Sequence, residues 1–297
     1  MGFMLVQKAS MGVTKTKKNY LDLIIFDGET AAPCKMWDYN DELPKVGSIV
    51  KVQLTRSDWQ GDMQFIISNI RPVRDEDNVD PAEFRARASR SIDEMWGELV
   101  KIAESIPKVG YRNVTLAALG HLEDNFRQAP AALGHHHNYW GGLLEHTLST
   151  TQRAIALATP PCNMSLVIAG AILHDIGKIR AYDWKSSMAI EMTDSGRLIG
   201  HIVDGVIMLL NIIELSNVDI SSGEVQLLQH IIISHHGKLE WGSPVEPMCK
   251  EALIVHTADA MDANIWKMDK SINEAKPDDV WVRSTAVKFD LLVKTGG

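Results

Sequence analysis

Cysteine is scarce in this sequence, and none of it is paired. Cys34, Cys162 and Cys249 stand far apart in the 297 residues, without a Cys-x-x-Cys motif. Dispersed cysteines of this kind indicate neither a disulfide framework nor a thiolate zinc site. We therefore expect a reducing, cytoplasmic environment.

Long apolar runs are also missing. The longest, around residues 165–173 and 205–210, are far shorter than the roughly 20 residues that a helix needs to cross a bilayer. The sequence begins Met-Gly, but Val6 stands where the myristoylation pattern has Ser or Thr. The first residues show no basic-then-apolar signal pattern. We expect a protein without membrane association.

A general excess of basic residues is absent too. The chain has 30 Lys and Arg against 38 Asp and Glu, a net charge of -8, which argues against a basic coat for nucleic acid. Residues 1–74 nevertheless carry ten basic and eight acidic residues, a net of +2, and the remainder carries 20 and 30, a net of -10. A mildly basic front piece on an acidic body suits a nucleic-acid module joined to a metal-binding body. A chance fluctuation is the alternative.

The first 74 residues show the pattern of a small β-barrel. Short runs rich in strand formers are separated by turn signals such as Asp27-Gly28 and Gly61-Asp62. Five short strands without helices are typical of an OB-fold. The predicted strands are Phe3–Ala9, Tyr20–Phe26, Thr30–Trp37, Ser48–Leu54 and Met63–Ile70.

An OB-fold presents a strand face and loops to single-stranded nucleic acid. Aromatic side chains on that face would stack on bases, and lysines would meet phosphates. For each aromatic, packing in the barrel core is the alternative. The candidates are Trp37, Tyr39 and Trp59 for stacking, and Lys15, Lys17 and Lys18 for phosphate.

The remainder of the chain is predicted to be helical. Residues 75–90 are polar, charged and rich in turn formers, which predicts a linker. Apolar residues then recur at helical spacing over 91–270, starting with a capping box of Ser91 and Glu94. We expect the tail, 271–297, to pack on this all-α domain. The predicted helices span 91–106, 111–128, 141–158, 164–179, 198–215, 223–235 and 249–268.

Histidine and aspartate carry the functional signal. His174-Asp175 ends the apolar run Leu166–Leu173, and a buried, adjacent His and Asp are costly unless they are paired or bound to metal. A lone His on an apolar helix is more often a core residue than a ligand. Here five helical segments each offer such residues, so we infer one shared metal centre. They carry His135–His137 with His146, His174 with Asp175, His201 with Asp204, His235 with His236, and His256 with Asp259 and Asp262.

Imidazole and carboxylate ligands without thiolate favour Mn, Fe, Co, Ni or Zn. The number of histidines, together with a carboxylate able to bridge, permits two metals. Two metals about 4 Å apart would activate water and stabilise the departing oxygen of a phosphodiester. The spacing of the residues alone does not prove a second metal.

The pattern His146…His174-Asp175…Asp259 resembles the HD phosphohydrolase superfamily. Two longer runs, His136–His146 and Ser234–Pro244, together with the five-strand front piece, resemble the YhaM-type 3′–5′ exoribonucleases. These enzymes join an OB-fold to an HD domain. The resemblance covers roughly residues 1–270 and implies an N-terminal five-stranded OB-fold barrel, residues 1–74, followed by an all-α HD domain, residues 91–270.

The resemblance also implies roles for individual residues. Asp175 would bridge two divalent cations, with Mn favoured and Fe, Co, Ni, Zn or Mg as alternatives. Lys178 would act with Asp175 in catalysis by contacting a substrate phosphate, unless it is a surface lysine that caps its helix. Further substrate contacts would come from His136, His137, Trp37 and Lys17. The cation ligands would be His146, His174, Asp175 and Asp259 for the first, and Asp175, His201, His235 and His236 for the second.

The implied activity is 3′–5′ hydrolysis of single-stranded RNA, with DNA as a second substrate, to nucleoside 5′-monophosphates by a metal-activated water. Three alternatives stay open. The chain would be an HD phosphodiesterase or nucleotidase acting on a cyclic or small nucleotide, a non-catalytic single-strand-binding protein, or a protein whose barrel binds another protein. A homo-oligomer is compatible with each of these.

Overall fold

The computed structural model of this chain describes residues 1–28, 30–59, 62–84, 86–133, 137–185, 190–275, 278–284 and 292–295. They form two compact units. The first is Met1–Ala86 with Lys185, and the second consists of Arg87–Trp184 with the described part of 190–297. No helix among these residues is long and apolar enough to cross a membrane.

The first unit is a closed barrel of five strands with the order β1-β2-β3-β5-β4. β1 pairs with β4 through Gly2–Leu5 and with β2 through the rest of its length, and this double pairing closes the barrel. β3 and β5 are parallel, and the other pairs are antiparallel. The predicted five-stranded OB-fold barrel is confirmed. The strands are Gly2–Val13 (β1), Asn19–Phe26 (β2), Ala31–Trp37 (β3), Ile49–Trp59 (β4) and Asp62–Pro72 (β5).

Alternation along the strands builds the barrel core. Leu21, Leu23 and Ile25 of β2 point inward, as expected for a strand with one buried face. Tyr39 is also buried, and its hydroxyl donates to the Glu42 carbonyl over 2.6 Å. The stacking interpretation of Tyr39 is therefore wrong, because the ring belongs to the barrel core. Burial also raises the pKa of the Cys34 thiol to about 12, which keeps this cysteine unreactive.

A carboxylate ties the start of the predicted linker to the barrel. Residues 75–77 form a short 3-10 turn, and Asp77 accepts hydrogen bonds of 2.7 and 2.8 Å from Arg71 and of 3.0 Å from Lys51. The hydrogen bonds from Arg71 hold the pKa of Asp77 well below its usual range. We call this group of Asp77, Arg71 and Lys51 the clasp, and the chain leaves the barrel beside it.

The second unit is helical, as predicted, and its centre is α4. Every residue from Ser165 to Leu173 is buried, as expected of a helix that is apolar on all sides. α4 packs against α1, α2, α3, α8 and α9. The helices are Ile92–Glu104 (α1), Val109–Phe126 (α2), Gly142–Leu157 (α3), Met164–Leu173 (α4), Lys178–Ala181 (α5), Asp194–Leu198 (α6), His201–Leu215 (α7), Ser222–Ser234 (α8) and Lys250–Asn273 (α9).

Three helix predictions were wrong in their limits, one of them because α9 continues to Asn273 beyond the predicted end at residue 268. The helix predicted over 164–179 ends at Leu173, and a turn separates it from α5. Within this turn Gly177 lies directly against α7, where a Cβ would come within 1.9 Å of the His201 carbonyl oxygen. The helix predicted over 198–215 is divided at Gly200, whose φ of 81° ends α6 before α7 starts.

Short strands complete the helical unit. Tyr182–Asp183 (β6) pairs with Glu191–Met192 (β7), and Trp281–Arg283 (β8) pairs with Leu292–Lys294 (β9). β8 and β9 contact α9, and Ser284 donates to the Lys267 carbonyl over 3.2 Å. The described part of the predicted tail thus lies on α9, while Phe289 falls outside the described residues.

The clasp leads to a prediction about the barrel. Asp77→Asn removes the charge that Arg71 and Lys51 face, so amide exchange in β4 and β5 should become faster. Because the pKa of Asp77 is lowered in the folded chain, its stabilisation is present above the ordinary aspartate pKa and is lost as the pH falls through the folded pKa. The difference between wild type and variant should therefore shrink below about pH 4.

Hydrogen–deuterium exchange with mass spectrometry of β4 and β5 peptides measures this effect. The matched control is Glu76→Gln, because Glu76 is exposed and pairs only with the exposed Arg74 in the described structure. Equal exchange in Asp77→Asn and Glu76→Gln would contradict the role of the clasp.

Candidate metal centre

The helical unit brings all seven sequence-predicted ligands to one place. They come from five segments of the chain: the body of α3, the end of α4 and the turn after it, the start of α7, the end of α8 and its following residue, and the body of α9. In that order they are His146, His174, Asp175, His201, His235, His236 and Asp259.

The first cluster contains His146, His174 and Asp259, whose ligand atoms all lie within 4.8 Å of one another. His146 Nε2 is 3.3 Å from His174 Nε2 and 3.2 Å from Asp259 Oδ1. Both histidine rings are fully buried. Two imidazoles and a carboxylate at this spacing suit a divalent transition ion.

The second cluster contains His201, His235 and His236, whose ligand atoms also lie within 4.8 Å of one another. The rings of His235 and His236 are 4.5 Å apart between centroids, and those of His201 and His236 are 5.1 Å apart. Burial lowers the pKa of His201 to about 3 and also lowers that of His236. Both are therefore neutral near pH 7, which is the form that binds a metal.

Asp175 lies between the two clusters and faces both. Its Oδ2 is 3.4 Å from His146 Nε2 and 3.2 Å from His174 Nε2. Its Oδ1 is 3.4 Å from His235 Nε2 and 3.7 Å from His201 Nε2. The carboxylate is buried, and each oxygen faces a different set of imidazoles. This is the geometry of a bridging ligand.

Several of these inward-facing atoms lack a hydrogen-bond partner in the described structure. They are Asp175 Oδ1, His201 Nε2 and His235 Nε2, and all are buried. A buried polar atom left unsatisfied costs about 1–3 kcal/mol. Cations coordinated by these atoms would remove that penalty, so the residues present fit divalent metal.

Hydrogen bonds behind the rings orient the Nε2 atoms toward the centre. His174 Nδ1 donates to the Ala171 carbonyl and His235 Nδ1 to the Ile232 carbonyl, each over 2.7 Å. His236 Nδ1 donates to the Trp241 carbonyl over 2.8 Å. With the proton on Nδ1, the lone pair is on Nε2, which is the atom that faces the cluster.

Lys178 is buried at the same centre. Its Nζ lies 2.5 Å from Asp175 Oδ2, so the interpretation of Lys178 as a surface lysine is wrong. Burial alone would lower its pKa, but the charge of Asp175 outweighs burial and raises it. Lys178 is therefore a cation held at the edge of the first cluster.

Sequence reasoning missed Asp262 as a member of the site. Its Oδ2 lies 2.7 Å from His146 Nδ1, on the side of the ring away from the cluster. Burial alone would raise its pKa, but hydrogen bonds with His137 and His146 hold it well below the usual range. The available signal was spacing, since Asp262 follows Asp259 by three residues and so shares its face of α9.

Two further histidines support the ligands. His256 Nδ1 donates to the His235 carbonyl over 2.7 Å, and Gly237 lies so close to the His256 ring that a Cβ would come within 2.2 Å of it. His137 is buried, and its Nε2 lies 3.1 Å from Asp262 Oδ2. His137 is thus connected to His146 through Asp262, and its contact with substrate stays a prediction. His136 lies outside the described residues.

The barrel carries an aromatic and basic patch, which we define as Tyr20, Lys35 and Trp37. The rings of Tyr20 and Trp37 lie 5.2 Å apart between centroids. Lys35 Nζ lies 5.3 and 6.0 Å from these two centroids. Trp37 is 46% exposed. Lys17 is exposed in the turn between β1 and β2, with a φ of 60°.

Comparison with known proteins extends over both units. The HD domain family model matches residues 143–264. A Listeria innocua protein named 3′–5′ exoribonuclease YhaM is 34% identical over 280 residues, which cover 93% of this chain and 88% of that protein. The chain belongs to the YhaM exoribonuclease family. YhaM proteins of Bacillus subtilis and a Geobacillus species are 33% and 32% identical over 291 residues, covering 96% of this chain and 91% and 89% of theirs.

The family resemblance inferred from the sequence is thus confirmed. All seven predicted metal ligands, and Asp262, fall within the segment that matches the HD domain. The aligned YhaM segments also include the barrel, since they leave only a small fraction of this chain unmatched. No solved structure gives a significant match.

The close approach of Gly177 to α7 leads to a prediction. Gly177→Ala would place a Cβ 1.9 Å from the His201 carbonyl oxygen and 2.5 Å from the Gly205 nitrogen. Both are main-chain atoms, so α7 must move and carry His201 away from Asp175. We expect a loss of about 1–3 kcal/mol in the free energy of unfolding, together with weaker cation binding at the second cluster.

Urea unfolding followed by far-UV circular dichroism measures the loss of stability, and calorimetric titration with Mn²⁺ measures binding. Gly97→Ala in α1 is the matched control, because a Cβ there meets nothing within 4 Å. This control should be neutral or slightly stabilising. A Gly177→Ala chain as stable as this control would contradict the packing argument.

Proposed function

We propose that this protein is a metal-dependent 3′–5′ exoribonuclease whose helical unit binds two divalent cations. The observation that carries the proposal is the position of Asp175, with one oxygen toward each cluster. The relatives that align over most of this chain are named 3′–5′ exoribonucleases. Mn²⁺ is the cation that we favour, with Fe, Co, Ni, Zn and Mg as alternatives.

The residues divide between the two cations as follows. The first would be held by His146, His174, Asp259 and Asp175 Oδ2, and the second by His201, His235, His236 and Asp175 Oδ1. Such a pair activates water for attack on phosphorus and stabilises the departing oxygen. RNA would thereby be hydrolysed to nucleoside 5′-monophosphates.

Lys178 supplies the remaining positive charge. It is buried, and its Nζ is 2.5 Å from Asp175 Oδ2. Its side chain would therefore be held in one conformation beside the bound cations. A scissile phosphate at the centre would lie within reach of this ammonium group. A fixed cation stabilises the negative charge that develops on the phosphate oxygens, because no reorganisation is needed during the reaction.

The patch on the barrel would hold the single strand. Stacking on an exposed aromatic ring contributes about 1–3 kcal/mol per base and tolerates any base. Trp37 offers such a ring with the half-buried Tyr20 beside it, and Lys35 and Lys17 offer charge for the backbone. Binding should accordingly weaken as salt is added.

The decisive test is a time course on 5′-labelled single-stranded RNA, with DNA, cyclic dinucleotides and nucleoside phosphates in parallel. A Mn²⁺-dependent ladder that shortens the RNA from its 3′ end, and that a chelator stops, is the expected result. Turnover of small nucleotides alone would point to the phosphodiesterase or nucleotidase alternative. Strand binding without any turnover would point to a non-catalytic binding protein.

Asp175 provides the first variant. Asp175→Asn removes the charge that both clusters share, and we expect kcat to fall by at least about a thousandfold, in line with the loss of a central electrostatic group. Asp219→Asn is the matched control. The Asp219 side chain is exposed, and this substitution removes the same charge from the helical unit. Full Mn²⁺-dependent activity in Asp175→Asn would overturn the proposal.

Trp37 provides the second variant. Trp37→Ala removes one stacking surface, so we expect KM for a long RNA to rise about tenfold, corresponding to roughly 1.4 kcal/mol. Hydrolysis of a dinucleotide, which offers few bases for stacking on the patch, should be unchanged. Trp281→Ala is the control, because Trp281 is similarly exposed on the helical unit. Equal KM values in both variants would rule out the patch.

A further inference from the structure

Asp262 is a buried carboxylate that contacts a metal ligand from behind. It is 3% exposed. Its Oδ2 lies 2.7 Å from His146 Nδ1 and 3.1 Å from His137 Nε2, and its Oδ1 lies 2.8 Å from Arg153 Nη1. Three nitrogen atoms from α3 and from the segment before it therefore converge on one carboxylate.

This arrangement differs from the support of the other ligand histidines. His174, His235 and His236 donate from Nδ1 to main-chain carbonyls, whereas His146 faces a carboxylate. A carboxylate behind a histidine fixes the Nδ1-protonated tautomer and makes Nε2 a stronger donor to the metal. The difference therefore falls on the first cluster.

We propose that Asp262, oriented by Arg153, is the positioning carboxylate that sets the cation affinity of the first cluster through His146. The inference rests on the proposed two-cation centre and assigns to it a residue outside the seven ligands. Asp262 does not touch the reacting atoms, and it acts by holding the His146 ring and its proton. The second cluster has no contact with Asp262 in the described structure, so its affinity should not depend on this residue.

The backbone around His137 agrees with this role. His137 has a φ of 51°, in the left-handed region that non-glycine residues seldom adopt. Its carbonyl oxygen accepts from the Ala131 nitrogen over 3.0 Å and lies so close to Gly142 that a Cβ there would come within 2.0 Å. Main-chain contacts thus hold a strained residue where its ring meets Asp262.

Asparagine is the informative replacement because it keeps the shape but has only one acceptor oxygen. Arg153 attracts that oxygen most strongly, which turns the amide NH2 toward His146 Nδ1. His146 would then place its proton on Nε2 and lose its ligand atom. Removing Arg153 as well would free the amide to present its oxygen to His146 again.

The test is calorimetric titration of the full-length chain with Mn²⁺. We expect two sites in the wild type and, in Asp262→Asn, a loss of about 10- to 100-fold in affinity at one site only. The double variant Asp262→Asn/Arg153→Ala should recover part of that loss. Asp269→Asn, an exposed aspartate two turns further along α9, is the matched control and should bind as the wild type does.

A second background shows which cluster has changed. With His201→Ala, the second cluster is weakened, so adding Asp262→Asn should remove the remaining tight site. Retained binding at the second cluster in the single Asp262→Asn variant also reports that the helical unit is folded. If Asp262→Asn does not fold, the Arg153→Ala variant tests the inference instead. It leaves the carboxylate in place and should lower the Mn²⁺ affinity of the first site alone by a few-fold.

The outcomes separate this inference from the proposed function. Unchanged affinity at both sites in Asp262→Asn, or a double variant no better than the single one, would overturn the positioning role and leave the proposed function intact. Where Asp262→Asn does not fold, wild-type Mn²⁺ affinity at the first site of Arg153→Ala would overturn the positioning role. A wild-type chain that binds no divalent cation would instead refute the proposed two-cation centre.

Discussion

The rest of the helical unit depends on one buried carboxylate. Asp175 has both oxygens inside the protein, and each faces imidazole nitrogens of a different cluster. An isolated buried charge is too costly to keep unless cations or ammonium groups meet it. Lys178 provides one such group at 2.5 Å, and metal cations would provide the others. The apolar helix α4 is buried from Ser165 to its last residue, Leu173, which directly precedes His174. A buried apolar helix thus places His174 and Asp175 at the centre.

Helix ends explain why the ligands are so rigidly held. The last carbonyls of a helix lack partners within the helix. His174 and His235 are the C-cap residues that directly follow α4 and α8. Each donates a hydrogen bond from Nδ1 to the carbonyl three residues earlier. One hydrogen bond thus satisfies a helix terminus and also turns Nε2 toward the cluster. The same local geometry, used twice, places one histidine in each of the two clusters.

Sequence patterns predicted most of this structure, and the failures share a cause. The five strands and most helices followed from periodicity, and the seven ligands followed from polar residues in apolar segments together with the resemblance to the HD and YhaM-type proteins. The break after α4 was missed because the role of Gly177 depends on α7, which is distant in sequence. Tyr39 and Trp37 have similar chemistry, and only the barrel decides that Tyr39 is buried and Trp37 exposed. Asp262 and His137 were likewise hidden, since their partners are set by tertiary packing.

The two clusters differ in the protonation of their histidines and in the carboxylate charge around them. Burial alone would lower the pKa of His146, but hydrogen bonds with Asp175, Asp259 and Asp262 raise it well above the ordinary value. A cation entering the first cluster must therefore displace a proton, whereas His201 and His236 are already neutral. The first cluster nevertheless holds more carboxylate charge, which favours a divalent cation once the proton has left. The two clusters thus offer a cation different surroundings, two imidazoles with carboxylate oxygens in the first and three imidazoles with one carboxylate oxygen in the second.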